Sequence, residues 1–183
     1  MPTDPAAGLL DREGTIERLR SSLATVEWAV KLIPEGWTHR SGGPRSTHEA
    51  WSAAMNLAHL ATYEETFPLT ELEDLLSEGN GLGRLSSMSE EITQSRALAL
   101  ASEPISVILG HLQEARARQV GLAEEFPGAS FTTPQTRAWG SSGLGPEWWS
   151  PALVLNKTFQ HTWEHGNAIL SIALFAPREL VED

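Results

Sequence analysis

The fold is decided by the last apolar stretch of the sequence, SPALVLNKTFQHTWEHGNAILSIAL, which covers residues 150–174. Ser150 is typical of a helix N-cap, Pro151 is tolerated in a first helical turn, and Pro177 follows as a stop. Residues three and four apart lie on the same helix face, so the stretch predicts one long helix with an inward stripe. The stripe consists of Val154, Thr158, His161, His165, Ala168 and Ile172.

Three further long helices are predicted upstream. The first covers Leu9 to Ile33, where apolar residues recur at helical spacing before a proline and a glycine. The second runs from a capping box, Ser46-Thr-His-Glu49, to Phe67, because a proline follows. The third begins after Pro104 and ends before the proline at position 127.

The remaining segments are expected to be short or irregular. Residues 71–83 predict a short helix and a surface loop, with Glu71-Leu-Glu-Asp74 as a solvated acidic face, and residues 89–101 predict another short helix. Residues 127–149 are rich in Gly, Ser, Thr and Pro, and a loop this long is usually functional or disordered. The fold class is therefore all-α: a four-helix bundle in one domain over residues 1–183, with short extra helices and a long loop before the last helix.

The composition limits the partners. With 24 acidic and 13 basic residues the formal net charge is -11, which argues against nucleic acid or an anionic membrane as a partner. A small-molecule substrate is more natural for such a chain. The sequence has no cysteine, so any thiol used in chemistry must come from another molecule. No apolar run is long enough to cross a membrane, and we expect a soluble, cytoplasmic protein.

Three histidines are the candidate metal ligands. His161 and His165 share one face of the last helix, while His59 belongs to a semi-polar face of the second helix. If these faces meet, three imidazoles can bind one divalent metal and leave a coordination position open for chemistry. Zinc or nickel is expected first and iron(II) is also suited, whereas magnesium and calcium prefer carboxylates. The face around His59 consists of Met55, Asn56, His59, Thr62 and Tyr63.

A purely structural interpretation stays open beside the metal site. A histidine pair at this spacing can arise by chance, and a lone histidine on an apolar face is more often a hydrogen-bonded core residue. The combination of the pair with a third histidine favours a metal. The other histidines are predicted to be surface or rim residues, namely His39 in a loop, His48 in a first helical turn and His111 in the third long helix.

The same residues carry a resemblance to a known family. The segment WSAAMNLAHLATYE, residues 51–64, and the pair His161-x-x-x-His165 resemble the DinB-like four-helix bundles, which include thiol-dependent transferases and maleylpyruvate isomerase-like proteins. The resemblance implies that His59, His161 and His165 bind a divalent metal. Many relatives continue after the last histidine with Arg-Gly-Gln, whereas this chain has Gly166-Asn-Ala168, which leaves the substrate open.

A second motif overlaps the histidine pair. His161-Thr-Trp-Glu164-His165 reads as H-x-x-E-H, a protease pattern in which the glutamate is the general base for a water on zinc. A motif this short arises easily by chance, so we do not expect a protease. Glu164 is nevertheless the candidate catalytic residue, as a base or as a partner of a ligand. The simpler alternative is a charge on the helix surface.

Aromatic residues supply candidates for a pocket. Trp139 in the long loop is expected to line a cavity above the metal, together with Asn56 and Tyr63 on the second helix. The other tryptophans are expected to pack in the core or to mark a contact in a homodimer. They include Trp28, Trp51, Trp148, Trp149 and Trp163.

Two functions are compatible with these residues. The first is a metal-dependent enzyme, in which the ion lowers the pKa of water or of an external low-molecular-weight thiol for hydrolysis or thiol transfer. The second is a non-catalytic bundle that senses a ligand or mediates assembly and has a vestigial metal site. The second function predicts no open side beside the histidines, or His59 packed far from the pair.

Overall fold

The computed structural model describes residues 8–34, 36–40, 51–77, 90–133, 135–138 and 146–175. These residues form helices and one short antiparallel ribbon, and the all-α class is confirmed. None of the helices within these ranges is both long and apolar enough to cross a membrane. The elements are α1 (Arg12–Lys31), α2 (Ala53–Leu76), α3 (Glu90–Leu100), α4 (Ile105–Glu125), α5 (Gly128–Phe131), β1 (Gln135–Ala138), β2 (Pro146–Trp149) and α6 (Pro151–Phe175).

Serine side chains cap the two helices that carry the candidate ligands. The predicted cap of the last helix is confirmed, since Ser150 Oγ accepts a hydrogen bond from the Leu153 amide at 3.2 Å. At the other helix, Ser52 Oγ accepts from the Met55 amide at 3.1 Å. α2 therefore begins at Ala53, later than predicted, and the proposed capping box at residues 46–49 lies outside the described residues.

The predicted end of the second helix at Phe67 is wrong, because α2 continues through Pro68 to Leu76. Proline has no N–H, so the carbonyl oxygen of Glu64 loses its partner within the helix. Gln119 on α4 replaces that partner, since its Nε2 donates to the Glu64 carbonyl at 3.2 Å. A hydrogen bond from another helix thus compensates for the proline, and the local sequence contains no sign of it.

The four long helices α1, α2, α4 and α6 form an up-down-down-up bundle. α1 is parallel to α6 and antiparallel to α4, while α2 is antiparallel to α6. α3 packs against α2 within the connection from α2 to α4. The contacts that define these directions are Arg18 with Asn156, Val26 with Gly166, Arg12 with Phe126, Glu27 with Gln113, Asn56 with His165, and Phe67 with Trp149.

The core consists of two apolar clusters with a polar layer between them. One cluster, at the end of the bundle where α2 begins, includes Val26, Leu57, Leu60, Ile108, Leu112 and Ile169. The other cluster, at the opposite end, includes Leu19, Leu72, Val120, Phe131, Trp149 and Leu155. Between them lies the polar layer, which consists of the buried residues Ser22, Glu64, Arg116, Gln119, Thr158 and Thr162.

Arg116 organises this polar layer. The residue is 1% exposed, and its guanidinium donates to the Glu64 carboxylate from Nε at 2.8 Å and from Nη2. Nη2 also donates to Thr162 Oγ1 at 2.9 Å, and Nη1 donates to the Leu19 carbonyl and to Ser22 Oγ at 3.0 Å. All five N–H groups of the arginine therefore have acceptors. Because the acceptors belong to α1, α2 and α6, this side chain of α4 connects all four long helices.

Several predictions about the surface are wrong. The sequence predicts Glu71 and Asp74 on a solvated face, but both are buried, and only Glu73 between them points partly outward. For Trp28 and Trp163 the sequence leaves core packing or a subunit contact open, and their exposed fractions of 52% and 57% rule out core packing. In each case the position around the helix axis, set by packing against the neighbouring helices, outweighs the polarity of the side chain.

The connection between α4 and α6 contains more regular structure than its composition predicts. It includes α5 and a ribbon in which β1 pairs with β2, with Gln135 opposite Trp149 and Ala138 opposite Pro146. Phe131 and Trp149 are buried in the adjacent apolar cluster, which confirms packing for that tryptophan. These two aromatic residues attach the connection to the bundle.

Removing Arg116 is expected to destabilise the bundle strongly. In Arg116→Leu the buried Glu64 carboxylate loses its cation, which costs about 3–5 kcal/mol of the free energy of unfolding. Arg118→Leu is the matched control, because that arginine is 63% exposed and pairs with a partly exposed Glu73. Its effect should be below about 1 kcal/mol. Urea unfolding followed by circular dichroism measures both, and equal small effects would contradict the role of the polar layer.

Candidate metal centre

α2 and α6 bring the three predicted ligands together. His59 lies on α2, and His161 and His165 lie one turn apart on α6, which runs antiparallel beside it. Their ligand nitrogens all lie within 4.8 Å of one another, and the Nε2 atoms of His59 and His161 are 3.2 Å apart. Within the described part of the chain, it is the one group of histidine and carboxylate side chains that converges in this way. We call it the histidine cluster.

The spacing of the histidine cluster fits a small divalent ion. Two nitrogens that bind one zinc ion at about 2.0–2.1 Å with tetrahedral angles lie about 3.3 Å apart. The Nε2 atoms of His59 and His161 are 3.2 Å apart, which matches this separation. The other pairs of ligand nitrogens are at most 4.8 Å apart, so the rings need to move only slightly closer to bind the same ion. Neutral imidazoles suit zinc, nickel or iron(II). The donor set can therefore hold such an ion.

Asn56 sets the orientation of the buried ligand His165. The Asn56 amide group donates from Nδ2 to the Ser52 carbonyl at 3.1 Å, and Nδ2 lies 3.4 Å from the Trp51 carbonyl, which identifies Oδ1 as the acceptor atom of the amide. His165 Nδ1 lies 2.9 Å from this Oδ1 and must therefore donate a proton to it. The lone pair of a neutral His165 then resides on Nε2. A hydrogen bond of this kind commonly orients histidine ligands of metals.

Aromatic rings border the histidine cluster on two sides. Trp51 stacks on His165 with ring centroids 5.8 Å apart and meets His59 edge-on at 5.2 Å. The sequence favours packing in the core or at an interface for Trp51 and does not predict its place beside the ligands. Tyr63 packs against His161 with centroids 4.0 Å apart. Burial, and secondarily the nearby Glu64 carboxylate, raise the pKa of Tyr63, so its phenol stays neutral at physiological pH.

The histidine cluster is open on one side. His165 is 1% exposed, whereas His59 and His161 on α2 and α6 are half-buried and therefore partly exposed to solvent. Three histidines leave a fourth position of a tetrahedral ion for another ligand. The partial exposure of two of the three ligands is compatible with access of a small molecule to that position.

The structure places the remaining candidate residues as follows. Asn56 contacts His165 and Tyr63 contacts His161, and the role of both as pocket residues stays a prediction. Glu164 is exposed on α6, and its role as a base stays a prediction. Trp139 and His48 lie outside the described residues. His39 is exposed, and His111 is 45% exposed and hydrogen-bonded to a carboxylate at 2.7 Å, so both are surface residues.

The fold is shared with proteins of known structure. A crystal structure of a protein from Streptococcus pneumoniae superposes with a TM-score of 0.68 at 14% identity, covering 87% of this chain and 88% of that one. An uncharacterized protein from Clostridium difficile 630 superposes with a TM-score of 0.70 at 14% identity, covering 91% and 98% of the two chains. At this identity the likeness shows the fold alone. No family model matches the chain, and no curated protein matches it.

Asn56 is expected to tune metal affinity without contacting the ion. Replacing it in Asn56→Leu removes the acceptor that orients His165, which should weaken zinc binding about 10–100-fold. Asn167→Leu is the matched control, because Asn167 is exposed on α6 beside the ligands and should leave the affinity unchanged. Competition with a chromophoric chelator measures both. An unchanged affinity in Asn56→Leu, with folding intact by circular dichroism, would show that the hydrogen bond is dispensable.

Proposed function

We propose that this protein is a metal-dependent enzyme whose divalent ion is held by His59, His161 and His165. The observation that carries the proposal is the convergence of the three imidazoles, with their ligand nitrogens within 4.8 Å of one another. The hydrogen bond from His165 to Asn56 supports it, because it leaves the facing nitrogen of that ring ready to bind. Zinc or nickel is the proposed ion, with iron(II) next.

The proposed reaction is hydrolysis or transfer of an external low-molecular-weight thiol. When bound, the ion supplies a lowered pKa for water or for a thiol in its open position, which is the chemistry that both reactions need. The thiol must come from another molecule, because the sequence has no cysteine. The half-buried edges of His59 and His161 leave room for the substrate to approach.

The protein residues around the ion have separate parts in this proposal. Asn56 holds the His165 ring in one tautomer, and the Trp51 ring shields His165 and His59 from water on one side. Tyr63 packs against His161, and burial raises the pKa of its phenol, so it is the proposed hydrogen-bond donor to the substrate. Glu164, which is exposed on α6, is the proposed base.

Kinship with the DinB-like bundles is part of the proposal. The order of the long helices and the origin of the three histidines in α2 and α6 support it, since the same arrangement underlies the resemblance of residues 51–64 and of the histidine pair. A cytoplasmic location and a homodimer also stay predictions. The exposed Trp28 and Trp163 are the residues available for a subunit contact.

The alternative function, a non-catalytic bundle with a vestigial site, predicts His59 far from the pair or a cluster closed to solvent. The distance of 3.2 Å between His59 and His161 and the partial exposure of both rings favour the enzyme instead. In the described residues no fourth protein ligand converges on the cluster.

Metal binding and activity should depend on His165. Wild-type protein is expected to bind one zinc or nickel ion per chain, and His165→Ala should weaken binding more than about 100-fold, since loss of a ligand exceeds loss of its orienting partner. Elemental analysis and calorimetric titration measure this. Glutathione and a chromogenic electrophile, with and without the ion, provide the first assay of thiol transfer.

His111→Ala is the matched control for His165→Ala, because it removes an exposed histidine on α4 that lies outside the cluster. It should bind metal like the wild type. If His165→Ala still binds one metal ion per chain with unchanged affinity, the proposed site is wrong. Metal binding without metal-dependent turnover of any thiol or ester substrate would favour the non-catalytic alternative.

A further inference from the structure

The outward side of α6 carries a stripe of apolar residues beside α1. Its members are spaced four, seven and four residues apart, so they share one face of the helix. They are Phe159, Trp163, Leu170 and Leu174. Phe159 stacks on Trp163 with ring centroids 6.5 Å apart, and the guanidinium of Arg18 on α1 lies 4.8 Å from the centre of the Phe159 ring. The stripe therefore borders the line along which α6 packs against α1.

A second stripe of uncharged residues lies on α1 and its C-cap. It consists of Thr25, Trp28 and Leu32, which are three and four positions apart and all exposed. The flank of α1 that packs against α4 is a different one, because Arg20 pairs with a glutamate of α4 and Glu27 accepts a hydrogen bond from a glutamine of α4. The stripe therefore lies on the outward side of α1.

A close contact between α1 and α6 joins the two stripes into one surface, which we call the α1–α6 face. A Cβ atom added to Gly166 would lie 3.3 Å from Val26 Cγ2, so the two helices approach each other without a bulky side chain between them. The α1–α6 face contains four of the six large hydrophobic residues that are exposed among the described residues, each of them at least 40% exposed. These four are Trp28, Leu32, Trp163 and Leu174.

Neither stripe of the α1–α6 face contains a charged residue, although the chain has 24 acidic residues and a net charge of -11. α6 has 25 residues, and the charged ones among them, Lys157 and Glu164, both lie off the stripe. A basic partner would be attracted to the acidic surface elsewhere, and two copies of the chain repel each other there. A partner for this face must itself be apolar and uncharged. The same face of a second copy meets both conditions.

We propose that two copies of this chain associate through the α1–α6 face, so that each copy covers Trp28 and Trp163 of the other. A closed pair places this face against itself around a two-fold axis. α1 is 20 residues or about 30 Å long, and two adjacent helices are about 20 Å wide, so the face covers about 600 Å² on each copy. The total of about 1,200 Å² exceeds the roughly 1,000 Å² that a specific interface requires. The inference assigns a surface to the proposed homodimer and does not depend on the metal.

Analytical ultracentrifugation at micromolar concentrations of the chain tests the proposal. The wild type should sediment with twice the chain mass of 20.0 kDa. Trp163→Glu should raise the dissociation constant of the dimer about 30-fold or more, because the contact loses a tryptophan and gains a carboxylate. Leu98→Glu is the matched control, since Leu98 is exposed to a similar extent but lies on α3, and its dimer should be unchanged. Circular dichroism confirms that both variants fold.

Spin labels provide a second measurement, because the sequence has no cysteine and each label can be attached to one introduced cysteine. Labels at Thr25→Cys should lie closer together across the dimer than labels at Glu114→Cys, on the exposed side of α4. The reverse order, a dimer that Trp163→Glu leaves intact, or a monomeric wild type overturns the proposal. A monomer that floats with phosphatidylcholine vesicles assigns the face to a lipid surface instead. Intact zinc binding in the same samples leaves the proposed metal site standing.

Discussion

The hydrogen bonds between Arg116 and Glu64 are the constraint on which the rest of the structure depends. Two charges buried in an apolar core cost more than their attraction returns unless the remaining donors and acceptors are also satisfied. Here Leu19, Ser22 and Thr162 satisfy the other N–H groups of the arginine. A shift of any long helix along its axis would leave one of these groups without a partner. The polar layer therefore fixes the register of all four helices, which the apolar clusters on either side restrict less sharply.

The histidine cluster depends on this register. Thr162 lies between His161 and His165 on α6, and Glu64 follows Tyr63 on α2, so the polar layer borders the ligands directly. Arg116 contacts both Thr162 and Glu64 and thereby fixes the heights of the two ligand-bearing helices relative to each other. A one-residue slip of α2 against α6 would move His59 away from the pair by about 1.5 Å. α4 supplies no ligand, yet it positions both helices that do.

The sequence predicts most of this architecture where the signals are local. The serine cap at Ser150 and the spacing of His161 and His165 are fixed within a few residues of chain, and both predictions agree with the structure. The features that the sequence does not predict depend on residues that are distant in the chain. The Arg116–Glu64 pair joins residues 52 positions apart. Pro68 remains helical because Gln119 satisfies the carbonyl that it leaves open, and no window around Pro68 contains that information.

The three ligands differ in burial, and this difference suits a site that must both hold an ion and admit a substrate. His165 is buried, hydrogen-bonded through Nδ1 and covered by the Trp51 ring, so its direction is set before an ion arrives. His59 and His161 are half-buried, so their rings are less confined and can close the remaining distance around an ion. A preset ligand limits the entropy lost on binding, and two adjustable ligands accommodate a change in coordination when a substrate enters. The site therefore combines one buried, oriented ligand with two partly exposed ligands.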